Sequence, residues 1–385
     1  MRIAVVTETF YPFMGGSARR YHEVLKRLVD RGYEVDLYTV RLKEDWKVYE
    51  VIDGIHVYRT EHILKNYITK DGFRSIRDVF RYTLWVLRKL GDRKYDLIEA
   101  NHCPIFPLIS SQIKSRFYGV PLVGTFHEVW YHNWYWYVPH KIYAPIGILL
   151  EKFYVYLPDK IVAVSEMVRD RLINYLNVPS DKVVVIENGV DTNSFNVMDN
   201  GIYNHRGVIY IGRLNPHKKV DWLLKAIKLV RRAIPDIRLD IVGDGPYRKF
   251  YMRVAEELGL DGNVVFHGKV DDHDMVELLK TSRIYVLPSI REGQSITTLE
   301  AMAAGVPQIV IEIDGNGAVE LVKSSGSGLV VKPSIRELAT SIIRLINDDS
   351  LYKVLRSNGL EYVRRHTWDR VANMYHNLYM ELINR

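Results

Sequence analysis

The chain of 385 residues has one cysteine, Cys103, so no intramolecular disulfide can form and a reducing, cytoplasmic setting is expected. No run of about 18 uncharged apolar residues occurs, which excludes a membrane-spanning helix of the usual kind. The opening stretch, Met1 to Glu8, meets its acid too early for the apolar region of a signal peptide and reads as a first strand. There is no Cys/His cluster at zinc spacing, and no metal is expected. No compact nucleic-acid motif is present, so nucleic acid is not an expected partner despite a net charge of +7. Internal repeats of roughly 20–50 residues and low-complexity tracts are also missing.

What is present is a steady alternation. In the first half, candidate strands at Ile3–Thr7, Glu34–Val40, Ile55–Tyr58, Leu97–Asn101, Leu122–Phe126, Ile161–Val164 and Val183–Ile186 alternate with amphipathic stretches such as Ala18–Arg31 and Glu166–Leu176. The second half repeats the pattern with Val208–Ile211, Leu239–Val242, Val264–Phe266, Ile284–Leu287, Gln308–Ile311 and Leu329–Val331. Strand–helix alternation predicts parallel-sheet α/β architecture, and the length predicts two such domains rather than one sheet. A break is expected at Asn193–Arg206, rich in Asn and Asp and without helical period. The expected domains are residues 1–195 and 206–365, with a last helical segment at 366–385. Parallel sheets bind ligands at the carboxyl ends of their strands, so two domains facing each other would line a cleft.

The chemistry concentrates at those strand ends. Arg291-Glu292-Gly293-Gln294-Ser295-Ile296-Thr297-Thr298-Leu299-Glu300 follows the strand at Ile284–Leu287 and runs into a helix. The N–H groups of Ser295, Ile296 and Thr297 would open a helix N-terminus, whose unpaired donors and partial positive charge favour an anion. Glu292 and Glu300 can each accept hydrogen bonds from vicinal hydroxyls. Amides for a diphosphate and carboxylates for a ribose and a sugar together suit a nucleotide sugar; a solvated helix face is the plain alternative. Gly212-Arg213-Leu214-Asn215-Pro216-His217-Lys218 follows Val208–Ile211, where Arg213 can fork across phosphate oxygens and Lys218 can add a point charge. Gly15-Gly16 lies between the first strand and a helix and could let a phosphate approach the backbone, or simply form a tight turn. It is not a G-x-G-x-x-G fingerprint, which disfavours a dehydrogenase-type dinucleotide site. His127 ends the strand Leu122–Phe126, where it could bond a transferred sugar or serve as an ordinary structural histidine.

Two further segments bear on partners. Arg74, Arg77, Arg81 and Arg88 recur at helical spacing, with Ile76, Val79, Phe80, Leu84 and Leu87 expected on the opposite face. The expectation is a core-facing helix with a basic outer side; the competing reading is peripheral contact with a membrane surface. Trp130 to Tyr137 holds six aromatic residues in eight positions, suited either to an acceptor-binding loop or to packing.

Together these residues resemble the family 4 retaining glycosyltransferases of GT-B fold. The likeness runs through Gly15-Gly16, Phe126-His127, Ile161-Val162-Ala163-Val164-Ser165, Glu187-Asn188-Gly189-Val190-Asp191, Gly212-Arg213-Leu214 with Lys218, Gly243-Asp244-Gly245-Pro246, Glu292 to Ala303, and Trp368. The resemblance implies a hexose moved with retention from a UDP- or GDP-linked donor to a lipid, glycan or small-molecule acceptor, without a metal or other cofactor. It implies Arg213 and Lys218 on the diphosphate, Glu300 on the ribose, Glu292 and His127 by the sugar, and Gly268, Lys269 and Val270 near the base. It also implies same-face attack through an oxocarbenium-like ion pair, and a last helix that packs back on the first domain. A nucleotide-sugar epimerase or hydrolase, or a non-catalytic nucleotide-sugar-binding protein, would share the fold. Two positions depart from the family pattern: Gln294-Ser295 replaces Phe-Gly, and Lys219 stands where glycine commonly follows the lysine, so Lys218 and Lys219 compete for one role.

Overall fold

The computed structural model describes residues 1–13, 15–69, 74–91, 93–138, 140–195 and 207–384, with only the backbone of Trp136 and Tyr137. The chain divides into two units, Met1–Asn188 with Trp368–Arg385, and Gly189–Thr367. The expected linker therefore lies mostly outside the described residues.

The first unit is built on eight strands: β1 (Arg2–Val6), β2 (Glu34–Thr39), β3 (Tyr49–Ile52), β4 (Ile55–Arg59), β5 (Leu97–Asn101), β6 (Leu122–Phe126), β7 (Lys160–Ala163) and β8 (Val183–Val185). Their order is β3-β4-β2-β1-β5-β6-β7-β8. Runs such as Ile3-Ala4-Val5 and Leu97-Ile98 are buried on both faces, as a parallel sheet covered by helices requires. β3, which the strand pattern above lacks, pairs antiparallel with β4 at the sheet edge. Asp53 and Gly54, at φ 47° and 77°, form the tight turn between them.

The steps β4 to β5, β5 to β6 and β6 to β7 all move the same way across the sheet. Right-handed crossovers then put the helices Ile76–Lys89, Ile105–Tyr118 and Ala144–Tyr154 on one face. The opposite face carries Gly16–Val29 and, as expected, the last helix, Trp368–Ile383, packed against it. A buried polar network holds that helix. Arg20 donates to Tyr375 Oη at 3.2 and 3.1 Å, to Asn188 Oδ1 at 2.7 Å and to the Ile186 carbonyl at 2.6 Å. Tyr379 Oη donates to Glu99, which also accepts from Thr125 Oγ1 at 2.7 Å.

The basic helix differs from expectation. Its buried side is Asp78, Val79, Tyr82, Trp85 and Val86, whereas Ile76, Phe80 and Leu84 are exposed beside Arg77 and Arg81. Tyr82 and Trp85 bury the most apolar area and so decide which face turns inward. Arg74 lies before the helix and pairs with Glu8 instead, at 2.5 and 3.1 Å.

The second unit is wholly parallel: β9 (Gly207–Ile211), β10 (Arg238–Val242), β11 (Val264–Gly268), β12 (Ile284–Leu287), β13 (Gln308–Ile311) and β14 (Gly328–Val331), in the order β11-β10-β9-β12-β13-β14. From β9 the chain first moves outward to β10 and β11, then returns to β12 on the other side of β9. The carboxyl ends of β9 and β12 therefore flank a topological switch point, where an open α/β sheet leaves a crevice.

Candidate functional site

In the second unit, Arg213, Lys218 and Glu292 stand at that switch point. After β9 the chain turns through Gly212, whose N–H donates to the Val242 carbonyl at 3.0 Å. At Gly243, with φ 125°, a Cβ would lie 2.1 Å from the Gly212 carbonyl oxygen; at Gly245 one would lie 2.6 Å from that of Leu214. These glycines let the loops after β9 and β10 touch backbone to backbone, which fixes the loop that carries Arg213 and Lys218. Lys218 closes a short 3-10 turn, Pro216–Lys218.

Across the switch point, the loop after β12 is pinned by a residue that the sequence patterns did not single out. Buried Asn316 donates through Nδ2 to the carbonyls of Ser289 and Ile311, both at 3.0 Å, and accepts from Ala318 N–H at 3.2 Å. Glu292 N–H donates to the Gly315 carbonyl at 2.9 Å, and Gly317 N–H donates to the Glu292 carbonyl at 2.8 Å. A Cβ at Gly317 would sit 2.1 Å from the Gly293 carbonyl oxygen, so this approach also needs glycine.

The two loops meet in an ion pair: Lys218 Nζ lies 2.5 Å from Glu292 Oε1, with side chains 17% and 12% exposed. Lys219 does not share this role. It holds a left-handed conformation at φ 50° ahead of the helix Val220–Val230, and its ammonium lies 5.8 Å from the Trp222 ring centroid. Glycine suits that backbone, which explains the family's preference there; the lysine adopts it at a cost of roughly 1 kcal/mol.

His217, half-buried between the loops, is held well below its ordinary pKa, first by burial and then by the positive charges of Arg291, Lys218 and Arg213. Three cations thus act on one neutral imidazole. Arg291 is the second residue missed; it stands beside Glu292 in the chain, but no pattern marked it.

The helix Ile296–Ala303 starts from the same loop. Ser295 Oγ accepts from Thr298 N–H at 3.2 Å and lies 3.0 Å from Thr297 Oγ1, which is 2.7 Å from Tyr285 Oη. Ser295 has φ −88°, so its backbone does not require the family's glycine, and the serine serves as the helix cap. The Ile296 and Thr297 N–H groups belong to the first turn, which no carbonyl of the helix reaches. Glu300 is buried one turn further along. Gly268 (φ 72°) ends β11, followed by exposed Lys269 and half-buried Val270. Gly268 accepts from Gly243 N–H at 2.7 Å, which ties this loop to the one after β10.

The first unit holds the remaining candidates. Gly15 is extended, at φ −158°, and the helix starts at Gly16. A Cβ at Gly16 would meet no described atom within 4 Å, and one at Gly15 would meet only Phe13, at 3.9 Å. No packing among the described residues therefore demands glycine at either position, unlike at Gly243. His127 N–H donates to His102 Nδ1 at 3.2 Å, and the two rings lie 6.0 Å apart. His127 Nε2 is buried with no partner among the described residues. Burial, then His102 and Arg20, keep His127 well below its ordinary pKa, so it is neutral. It can exchange a hydrogen bond with a ligand, but it supplies no positive charge at neutral pH.

In the aromatic segment, Glu151 receives the N–H groups of Trp130 (2.8 Å) and Tyr131 (2.6 Å) and Nε1 of Trp134 (2.9 Å). Trp134 is buried and fills the space over Gly147, where a Cβ would come within 2.3 Å of its ring. Trp134 is thus a packing anchor; the side chains of Trp136 and Tyr137 lie outside the described residues.

Comparison with known proteins adds the following. Residues 14–194 match the family described as Glycosyltransferase Family 4, and residues 199–362 match Glycosyl transferases group 1. An uncharacterised glycosyltransferase of Methanocaldococcus jannaschii is 28% identical over 407 aligned positions, covering 100% of both chains. The UDP-Gal:alpha-D-GlcNAc-diphosphoundecaprenol alpha-1,3-galactosyltransferase of Escherichia coli is 24% identical over 97% of both chains. Among solved structures, the sucrose-phosphate synthase of Thermosynechococcus elongatus superposes with a TM-score of 0.82 at 20% identity, covering 100% of this chain and 99% of that one.

Proposed function

This chain belongs to the family 4 glycosyltransferases, and on that premise we propose that it moves a hexose from a UDP- or GDP-linked donor to a lipid-linked or glycan acceptor, with retention at the anomeric carbon. One observation carries the reading. Arg213, Lys218 and Arg291 all act on His217 at the switch point of the second unit, Lys218 pairs with Glu292, and the loop of Glu292 runs into the N-terminus of the helix Ile296–Ala303.

Such a set is suited to a leaving diphosphate. The bond from the anomeric carbon to the diphosphate breaks, and the acceptor oxygen bonds that carbon on the same face. The acceptor proton passes to a diphosphate oxygen. Negative charge grows on the diphosphate as this happens, and preorganised cations and N–H groups lower the barrier most where charge develops. These side chains, not a metal, are assigned that work. Glu300 is assigned to the ribose hydroxyls, the Gly268 to Val270 loop to the base, and Glu292 to the sugar. His127 is assigned a neutral hydrogen bond to the sugar, and Gly15-Gly16 the backbone approach to a phosphate. The single cysteine supports a cytoplasmic location.

Three measurements test this. A thermal-shift series with UDP, GDP and their sugars should raise Tm for the true donor, since a ligand at a hundred times its Kd stabilises by about 2.7 kcal/mol. With labelled donor and lipid or glycan extracts, a new glycoconjugate is expected. Isomerised donor or free sugar would mean an epimerase or hydrolase; donor binding without any product would mean a binding protein. Glu292→Gln should slow transfer while leaving nucleoside diphosphate affinity intact or tighter, because Lys218 is released from its partner. Equal loss of both would remove Glu292 from its place at the sugar.

A further inference from the structure

The helix layer on one face of the first sheet carries an outer surface that the core does not use. On Ile76–Lys89, Ile76 and Leu84 are 72% and 64% exposed. On its neighbour, Ile105–Tyr118, Phe117 is 75% exposed. On Ala144–Tyr154 and the turn before it, Ile142, Leu149 and Phe153 are 77%, 70% and 61% exposed. The middle helix packs against both others, and the Phe80 and Phe106 rings meet at 4.7 Å, so these side chains belong to one surface. The spacing is regular: 76, 80, 84 on one helix and 142, 146, 149, 153 along another, each a stripe on the solvent side. Single exposed apolar residues are ordinary, but stripes on three adjacent helices are not.

The exposed charges on these helices are of one sign. Their acidic residues are Asp78 and Glu151, and both are buried, Glu151 beneath the aromatic segment. The exposed charges are cationic: Arg77 and Arg81 on the first helix, Lys141 and Lys152 by the third. Lys114 lies 5.7 Å from the Phe117 ring centroid, its ammonium beside the apolar residue. Among the described residues, the acids that meet this layer lie at its margins: Glu61 by Lys89, Asp159 by Arg116, and Glu166 and Asp170 on the next helix, Glu166–Leu176.

We propose that this three-helix face is a docking surface for an anionic phospholipid bilayer. Its apolar stripes would enter the headgroup boundary while Arg77, Arg81, Lys141 and Lys152 meet lipid phosphates. Apolar residues interleaved with cations, with the described exposed acids only at the margins, match a surface that is negative outside and apolar beneath. The face rests on the glycosyl-transfer reading only for its use, which is to hold the protein where a lipid-linked acceptor is embedded.

The test is co-sedimentation of the full chain with vesicles of phosphatidylcholine alone and of phosphatidylcholine with phosphatidylglycerol, in low and high salt and without donor. Binding to the anionic vesicles is expected, weakened by salt. Leu149→Glu with Phe153→Glu, and separately Arg77→Glu with Lys152→Glu, should each lower it by about tenfold or more. All four side chains are exposed, so both variants should keep the wild-type Tm and the shift with nucleoside diphosphate. That shift reports on the transfer site independently, so either reading can fail alone. Absence of wild-type binding to anionic vesicles at low salt would overturn the proposal, as would variants that bind undiminished. A wild-type dimer in gel filtration that the first variant dissociates would make the face a subunit interface and overturn it equally.

Discussion

Lys218 and Glu292 show how one residue pair ties strand order to chemistry. Each lies just after a central strand, and the crevice between those strands brings the ammonium to the carboxylate. On the proposed reading, Lys218→Met removes a cation from the developing diphosphate charge and leaves a half-buried carboxylate alone. Transfer should fall by about 10²–10³ in kcat, with weaker nucleoside diphosphate binding, as measured by steady-state kinetics and calorimetry. Lys219→Met should change neither, because Lys219 stands at the neighbouring tryptophan. Sequence could nominate both lysines but not tell which one pairs with Glu292, since that depends on a single left-handed backbone position. Arg213, Lys218 and Glu292 could be nominated because each stands in the loop after a recognisable strand. Arg291 and His217 lay in the same loops without a pattern to mark them.

At the scale of elements, loops after strands need a brace, and Asn316 supplies it for the loop of Glu292. Asn316→Ala should cost about 2 kcal/mol through two carbonyls left without their buried donor. It should also reduce transfer by loosening Glu292. Calorimetry and rate measurements together check this; full activity at unchanged Tm would mean the loop holds itself. No sequence signal announces such a residue, because its partners are main-chain carbonyls up to 27 positions away. The strands were legible from apolar runs alone. The edge strand β3 was missed because its alternating burial and its acidic residue do not resemble the buried runs, although Asp53-Gly54 is a strong hairpin signal. The outer stripes at Ile76–Lys89 were misassigned because aromatic residues, not the aliphatic ones, chose its inner face.

For the whole molecule, the buried network under the last helix makes stability depend on pH. Glu99 is pushed from its ordinary 4.5 to about 7, chiefly by burial, with Thr125, Arg20 and Tyr21 pulling the other way. Between those values the folded chain keeps a proton that the unfolded chain sheds. The stability this group contributes is therefore complete below about pH 4.5 and is lost as pH rises through about 7, some 3 kcal/mol in all. Buried His102 and His127, shifted downward mainly by burial, tilt the curve the other way up to the ordinary histidine pKa. The comparison must therefore be with Glu99→Gln. Wild-type Tm should lose ground to that variant from about pH 5 to about pH 8. Parallel curves would mean that Glu99 ionises alike in both states.

The first unit is sewn from the two ends of the sequence, Met1–Asn188 and Trp368–Arg385. During translation, nearly the whole chain must leave the ribosome before Tyr375 and Tyr379 arrive to cover Arg20 and Glu99. Until then the nascent first sheet holds those two charges on a half-covered face, while the second unit, contiguous in sequence, already has all its strands. The later half of the polypeptide can thus settle into its native form before the earlier half is complete.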